Sequence, residues 1–320
     1  MRQSSVSILG LLVLLIVGTS VAQTTYPEKP MRVVVGYPPG GGPDTVVRVL
    51  GQKFTEAWGK PIVIENVTGA AGNIAAERVA KATADGYTLG FMTEAQMAIN
   101  PHLYKLTYDP VKDFAPVSHV VRSQFLLVVH NGVPVKNVQE LVNLAKARPG
   151  ESTFASGGSG SIHHMAAELF KSATHVDIRH IPYKGVVPAI PDLLGGRVTM
   201  MFISPVALPL VREGKLRALA VTSSTRFSGA PELPTVAESG YPGFEVTGWS
   251  GLVAPTGTPA TIVRKLYLET VKATALPDLR TKFAELGVEG VGNSPGEFAA
   301  LIKSENSKWT KVIKESGIKP

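Results

Sequence analysis

From residue 29 onward, short apolar runs alternate with amphipathic stretches along the chain. Residues 31–35 ("MRVVV") read as a buried strand. A break rich in proline and glycine follows. Residues 43–58 then place Val46, Val47, Leu50, Phe54 and Ala57 on one stripe, which predicts a helix. Residues 61–65 read as a second strand, and the small-residue turn 69–72 leads into a helix carrying Ile74 and Val79. Residues 86–92 read as a third strand and 124–130 ("QFLLVVH") as a strongly buried one. Asn137 followed by Glu140 resembles a helix N-cap with its reciprocal partner, and that helix should stop before Pro149-Gly150. Residues 152–156 predict a short strand, 162–171 a helix, and 198–204 and 216–223 two further strands. Thr258-Pro259 and Ser294-Pro295-Gly296-Glu297 read as helix starts with Pro at the first helical position. The last helix puts Phe298, Leu301, Ile302, Trp309, Val312 and Ile313 on one apolar face, so it should pack on a core.

This alternation predicts an α/β protein whose sheets are parallel and covered by helices on both faces. No short-period repeat is present, but one coarse echo is. Residues 153–170 ("TFASGGSGSIHHMAAELF") repeat the opening order of strand, small-residue turn and helix, about 115 positions on. One such unit in each of two domains is expected, and 320 residues suit two domains. Crossings near residues 120–123 and 244–248 would make residues 23–122 plus 246–320 one domain and 123–245 the other.

The N-terminus follows a different pattern. Arg2 is the sole charge in the first 22 residues, 6–17 are nearly all apolar, and Ser20-Val21-Ala22 offers the small residues a signal peptidase reads. Residues 1–22 are expected to be a cleavable signal peptide; the apolar run is short for a membrane anchor, which needs about 20 apolar residues. The rest of the chain carries 31 basic and 25 acidic residues. They are interspersed, with no basic block, which argues against a nucleic-acid partner and leaves a mild positive field suited to small anions. There is no cysteine, hence no disulfide, thiolate chemistry or lipidated Cys.

The two glycine turns carry the candidate chemistry. A helix start leaves backbone N–H groups unpaired and bears partial positive charge, and glycine lets an anion come close. In open α/β sheets such turns sit at the carboxyl ends of strands, where ligands bind. Neither turn has the Lys of a Walker loop, both miss the third glycine of a dinucleotide fingerprint, and "GGSGS" misses the last residue of a hydrolase elbow. Asp44 is expected to cap or shape the first turn or to meet a ligand donor, and Ser161 to cap the second helix. His163, His164 and Glu168 lack the spacing of a zinc site. Ser159 or Ser161 with a histidine would be the nucleophile of a secreted serine hydrolase, the alternative from another class.

Taken in order, "YPPGGGPD", "NVTGAAGNIAAERVAKATADGYTL", "NPHLYKLTYDPVKDFAPVS", "SGGSGSIHHMAAELF", "IPYKGVVPAIPDLLGGRVTMMF", "LPTVAESGYPGFEVTGWSGLVAPTGTP" and the Trp of "KSENSKW" closely resemble the extracytoplasmic solute receptors of tripartite tricarboxylate transporters, the Bug receptors. The resemblance implies a periplasmic-binding-protein-like fold of type II, with two domains joined by crossing strands. It further implies a monomer without cofactor that closes on a small organic carboxylate in the periplasm and delivers it to membrane permease subunits. A receptor feeding a sensor would share the fold. Carried over residue by residue, it places Tyr37, Pro39, Gly40, Gly41 and Asp44 of the first turn, Ser156, Gly157, Ser159 and Ser161 of the second, and Thr93 and Ser204 at the ligand. Where the family commonly has Asn-Arg-Pro-Gly-Ala-Gly, this chain has Asn66-Val67-Thr68-Gly69-Ala70-Ala71. At Ser204 relatives often carry an acid. A serine there favours a dicarboxylate or aromatic acid over a zwitterionic amino acid.

Overall fold

The computed structural model describes residues 26–183 and 185–318; the expected signal peptide lies outside them. Two sheets, each flanked by helices, form two lobes. The first lobe opens with β1 (Met31–Val35), α1 (Gly42–Trp58), β2 (Ile62–Asn66), α2 (Asn73–Ala80) and β3 (Thr88–Thr93), and continues into β4 (Phe114–Gln124). The second holds β5 (Leu126–His130), α3 (Val138–Ala147), β6 (Thr153–Ser156), α4 (Ile162–Thr174), β7 (Arg179–Pro182), α5 (Ile190–Leu194), β8 (Met200–Ile203), α6 (Leu208–Arg212) and β9 (Leu216–Val221). The chain then re-enters the first lobe with β10 (Thr247–Pro255), α7 (Ala260–Ala275), α8 (Pro277–Glu285), β11 (Glu289–Gly290) and α9 (Pro295–Ser316).

The sheet orders are β11-β4-β10-β3-β1-β2 and β7-β6-β8-β5-β9. The expectation of mostly parallel sheets needs correcting. β1 pairs in parallel with β2 and β3, and β6 with β7 and β8, whereas every pairing of β4, β5, β9, β10 and β11 is antiparallel. The reason is topological: a strand that crosses between lobes enters its new sheet from the opposite end.

Local chemistry sets the helix boundaries. Ser294 Oγ accepts from Glu297 N–H and Glu297 Oε2 accepts from Ser294 N–H at 2.8 Å, a full capping box on α9. Asn137 caps α3 through Glu140 N–H at 2.8 Å. Pro259 is itself the N-cap of α7, one position before the expected place. Likewise Gln124 closes β4 and does not open β5.

The crossings are tied together. Phe125 N–H donates to Thr222 Oγ1 at 2.9 Å, and Thr222 Oγ1 donates to the Val246 carbonyl at 2.6 Å. Thr222 is fully buried, so one hydroxyl clamps both connecting segments. An apolar cluster runs unbroken from Val79 and Met92 of the first lobe through Trp249 and Phe125 to Phe154 and Phe170 of the second. α9 lies along it, with Phe298 edge-on to Trp249 at 5.5 Å between ring centroids, and it packs on both β4 and α4. Among the described residues no helix is long and apolar enough to cross a membrane.

Candidate functional site

The turn after β1 is built by one carboxylate. Asp44, in the first turn of α1 and 1% exposed, folds back so that its Oδ2 accepts from Gly40 N–H at 2.8 Å. Arg48 Nε donates to the same oxygen at 2.9 Å, and Asn66 Nδ2 donates to Oδ1 at 2.7 Å and to the Tyr37 carbonyl at 2.9 Å. Burial pushes this carboxyl up, but the hydrogen bonds from Arg48, Asn66 and Gly40 outweigh it and hold it below the usual carboxylate range. Asp44 therefore shapes the turn. Gly40 adopts φ +79°, which glycine allows at no steric cost. The N–H groups of Gly40 and Gly41 are both spent, the latter on the Pro38 carbonyl at 3.0 Å. Among the described residues, the N–H groups of Gly42 and Asp44 have no acceptor, so these are the open donors at this corner. Pro39 lies exposed beside them.

The turn after β6 repeats this geometry with different side chains. Gly160 (φ +76°) and Ser161 (φ −67°, ψ 155°) match Gly40 and Gly41 (φ −67°, ψ 157°). Gly160 N–H donates to His164 Nδ1 at 3.0 Å, four residues on, as Gly40 does to Asp44. Ser161 caps α4 through His164 N–H and donates to the Gly158 carbonyl at 2.7 Å. Ser156 lies inside this turn. It is fully buried, and its hydroxyl bonds the backbone of Gly158 and sits 2.7 Å from His180 Nε2. His180 stacks on His164 at 3.9 Å and on Phe154 at 4.7 Å; burial and the neighbouring His164 push it down to about 4, so the His180 ring is neutral at pH 7. Gly157 faces the backbone of Val186, and Ser159 is exposed. Neither Ser159 nor Ser161 is bonded to an imidazole side chain among the described residues.

A third corner follows β3, where residues Ala95–Ile99 form a π-helical turn. Tyr37 OH lies 3.0 Å from Thr93 Oγ1. Thr93 is held by Gln96 Oε1, which accepts from Thr93 N–H at 2.9 Å and from its hydroxyl at 2.7 Å. Glu94 is buried and accepts from Trp249 N–H of β10 at 2.9 Å; burial raises it to about 7 despite that bond, with Glu305 adding to the rise. Gln96 Nε2, Trp249 Nε1 and His163 Nδ1 are buried without a hydrogen-bond partner. Such orphans are expected to be few; among the described residues Gln96 follows β3, Trp249 lies on the crossing strand β10 and His163 opens α4. Sequence reasoning missed Gln96, Glu94 and Asn66. The cluster of polar letters "TEAQ" at the end of an apolar strand was the one signal that could have found the first two.

The lobes touch at two glycines. A Cβ on Gly160 would lie 2.8 Å from Leu103 of the first lobe, and one on Gly287 of the first lobe 3.0 Å from Ser204 Oγ. Thus Ser204 abuts the turn after α8. A polar recess of about 660 Å³ beside the crossings, between Gln124, Ser223, Arg226 and Val288, holds none of the expected ligand residues. Its Arg122 and Arg226 are already paired, with Glu289 and Glu238.

Two mixed sheets joined by paired crossing strands, with anion-ready helix starts on both sides, define a two-lobed solute-binding protein. Residues 46–318 match the model of the tripartite tricarboxylate transporter family receptors, and the chain belongs to that family. It is 37% identical over 306 residues to Protein BugT of Bordetella pertussis, across 95% of this chain and 94% of that one. Among solved structures it is similar to R. palustris Rpa4515 with adipate (38% identity, TM-score 0.82, 92% and 99% of the two chains). MatC from Rhodopseudomonas palustris with bound malate follows at 35% identity and TM-score 0.78, over 90% of this chain and all of that one.

Proposed function

We propose that the chain is a periplasmic receptor that clasps a small organic dicarboxylate between its lobes and passes it, unaltered, to a membrane permease. The lobes are taken as residues 23–122 plus 246–320 and residues 123–245. The observation that carries this reading is the pair of matching glycine corners, one per lobe, each presenting open backbone N–H groups and no Lys or Arg among residues 36–42 or 157–161. A carboxylate accepting such bonds gains about 1.5–3 kcal/mol from each, more than the 0.3–1 kcal/mol typical of a helix dipole. The adipate and malate held by the two relatives support the ligand class.

A thermal-shift screen with 1 mM dicarboxylates, aromatic acids and amino acids tests the reading. Dicarboxylates should raise Tm and should shrink the radius of gyration in small-angle scattering as the lobes close. Gly41→Val, whose Cβ would lie 3.1 Å from the Pro38 carbonyl oxygen, should remove the Tm shift while the protein stays folded. A screen in which only amino acids with a single carboxylate raise Tm would overturn the ligand class.

A further inference from the structure

We infer that the ligand carries a hydrogen-bond donor beside its carboxylate, received by the phenolic oxygen of Tyr37. This rests on the proposed carboxylate-receptor reading and narrows it to acids bearing a hydroxyl or an ammonium group.

The direction of the hydrogen bonds at the third corner is forced. Thr93 N–H can only donate, so the Gln96 atom that receives it at 2.9 Å is the amide oxygen. That same oxygen lies 2.7 Å from Thr93 Oγ1 and has no proton to give, so the threonine hydroxyl spends its single proton there. Thr93 Oγ1 is then an acceptor for everything else that reaches it. It takes Ala95 N–H at 3.2 Å and, at 3.0 Å, the proton of Tyr37. Tyr37 thus has no proton left to offer, and its oxygen, at the carboxyl edge shared by β1 and β3 and beside the otherwise unpartnered Gln96 Nε2, is left as an acceptor. A carboxylate oxygen there would face another acceptor, whereas a hydroxyl or N–H would complete the chain. The surroundings agree: burial raises the phenol and Glu94 adds to the rise, which keeps Tyr37 protonated. The backbone behind the relay is fixed, since Tyr108 OH shares its proton between Asn73 Oδ1 at 2.9 Å and the Gln96 carbonyl at 3.0 Å, and Gln96 Nε2 fills the space a side chain would take at Gly72.

Two matched series test this by calorimetry on the full mature chain: succinate, malate and aspartate, then glutarate, 2-hydroxyglutarate and glutamate. A site built around a hydrogen bond discriminates strongly against the analogue that lacks it. The malate or aspartate type should bind about tenfold or more tightly than the unsubstituted acid of the same length, and which of the two gains tells hydroxyl from ammonium. Tyr37→Phe should bring that ratio within about twofold. Thr93→Val, which takes away the acceptor of the phenolic proton and frees Tyr37 to donate, should shift the ratio towards the unsubstituted acid. Equal affinity for all three members of a series, or a ratio untouched in Tyr37→Phe, would overturn the inference and leave the receptor reading standing. Binding of none of the six would overturn both.

Discussion

Asp44→Asn is the sharpest probe of the first glycine corner. The amide keeps one acceptor oxygen, but its NH2 then meets either Asn66 Nδ2 or both Gly40 N–H and Arg48 Nε, so at least one of three hydrogen bonds becomes a donor facing a donor. Losing bonds to a charged acceptor costs about 1.5–3 kcal/mol each. Arg48 is 47% exposed and Gly40 lies at the surface, so water takes over much of what they lose. The net loss in stability should be about 2–3 kcal/mol at pH 7. Because the folded carboxyl is held below its usual value, its contribution is present above the unfolded value of about 3.9 and fades as pH falls further. Urea titrations should therefore show wild type and variant far apart at pH 7 and converging below pH 4. For binding, a loosened turn must be re-ordered, at about 1–2 kcal/mol per residue fixed. Two such residues, about 2–4 kcal/mol, weaken Kd by about thirty-fold or more. A variant that loses stability yet binds within twofold of wild type would refute the link between this carboxylate and the ligand corner.

Glu94→Gln tests the buried acid at the crossing strands. The folded value is raised, so stability is full below the unfolded value near 4.3 and declines as pH rises through about 7. The glutamine keeps the acceptor for Trp249 N–H and should gain on wild type by up to about 3 kcal/mol between pH 4.5 and 7.5, read as the difference between their urea midpoints; parallel curves would refute it. His119, His163 and His180, each held near 4, tilt both proteins the other way, towards greater stability as pH rises from 4 to 6.5, and cancel in that difference. Thr222→Val leaves a buried N–H and a buried C=O unpaired at the crossings. It should cost about 2–4 kcal/mol in urea unfolding, and a loss below 0.5 kcal/mol would mean the crossing segments re-pair without it.

Much of this architecture was legible in the letters, and the exceptions have physical causes. The strand–glycine–helix echo is real down to the backbone, because only a few geometries let a chain turn from strand to helix in so few residues. Gly40 and Gly160 answer that need alike. The caps at Asn137 and Ser294 were readable because capping is local. The direction of strands was not: β10 is placed by β3 and β4, whose sequences lie more than a hundred residues upstream, and nothing in "TGWSGLVAP" encodes its partners. Within the site, glycine and serine spacing located the turns but not which groups face the ligand. Ser156 looks like its neighbours in sequence, yet strand alternation turns it inward to His180. Gln96 escaped notice because a π-helical turn follows neither the period of two nor that of 3.6.

The strand order also dictates a sequence of events during biosynthesis. β10 occupies an interior position of the first sheet, and α9 covers its face, so that half cannot assemble until nearly the last residue has emerged. The other half is made from one unbroken middle stretch, and only its contact with α9 waits for the end of the chain. A newly made chain therefore keeps its opening hundred residues uncommitted for most of its synthesis.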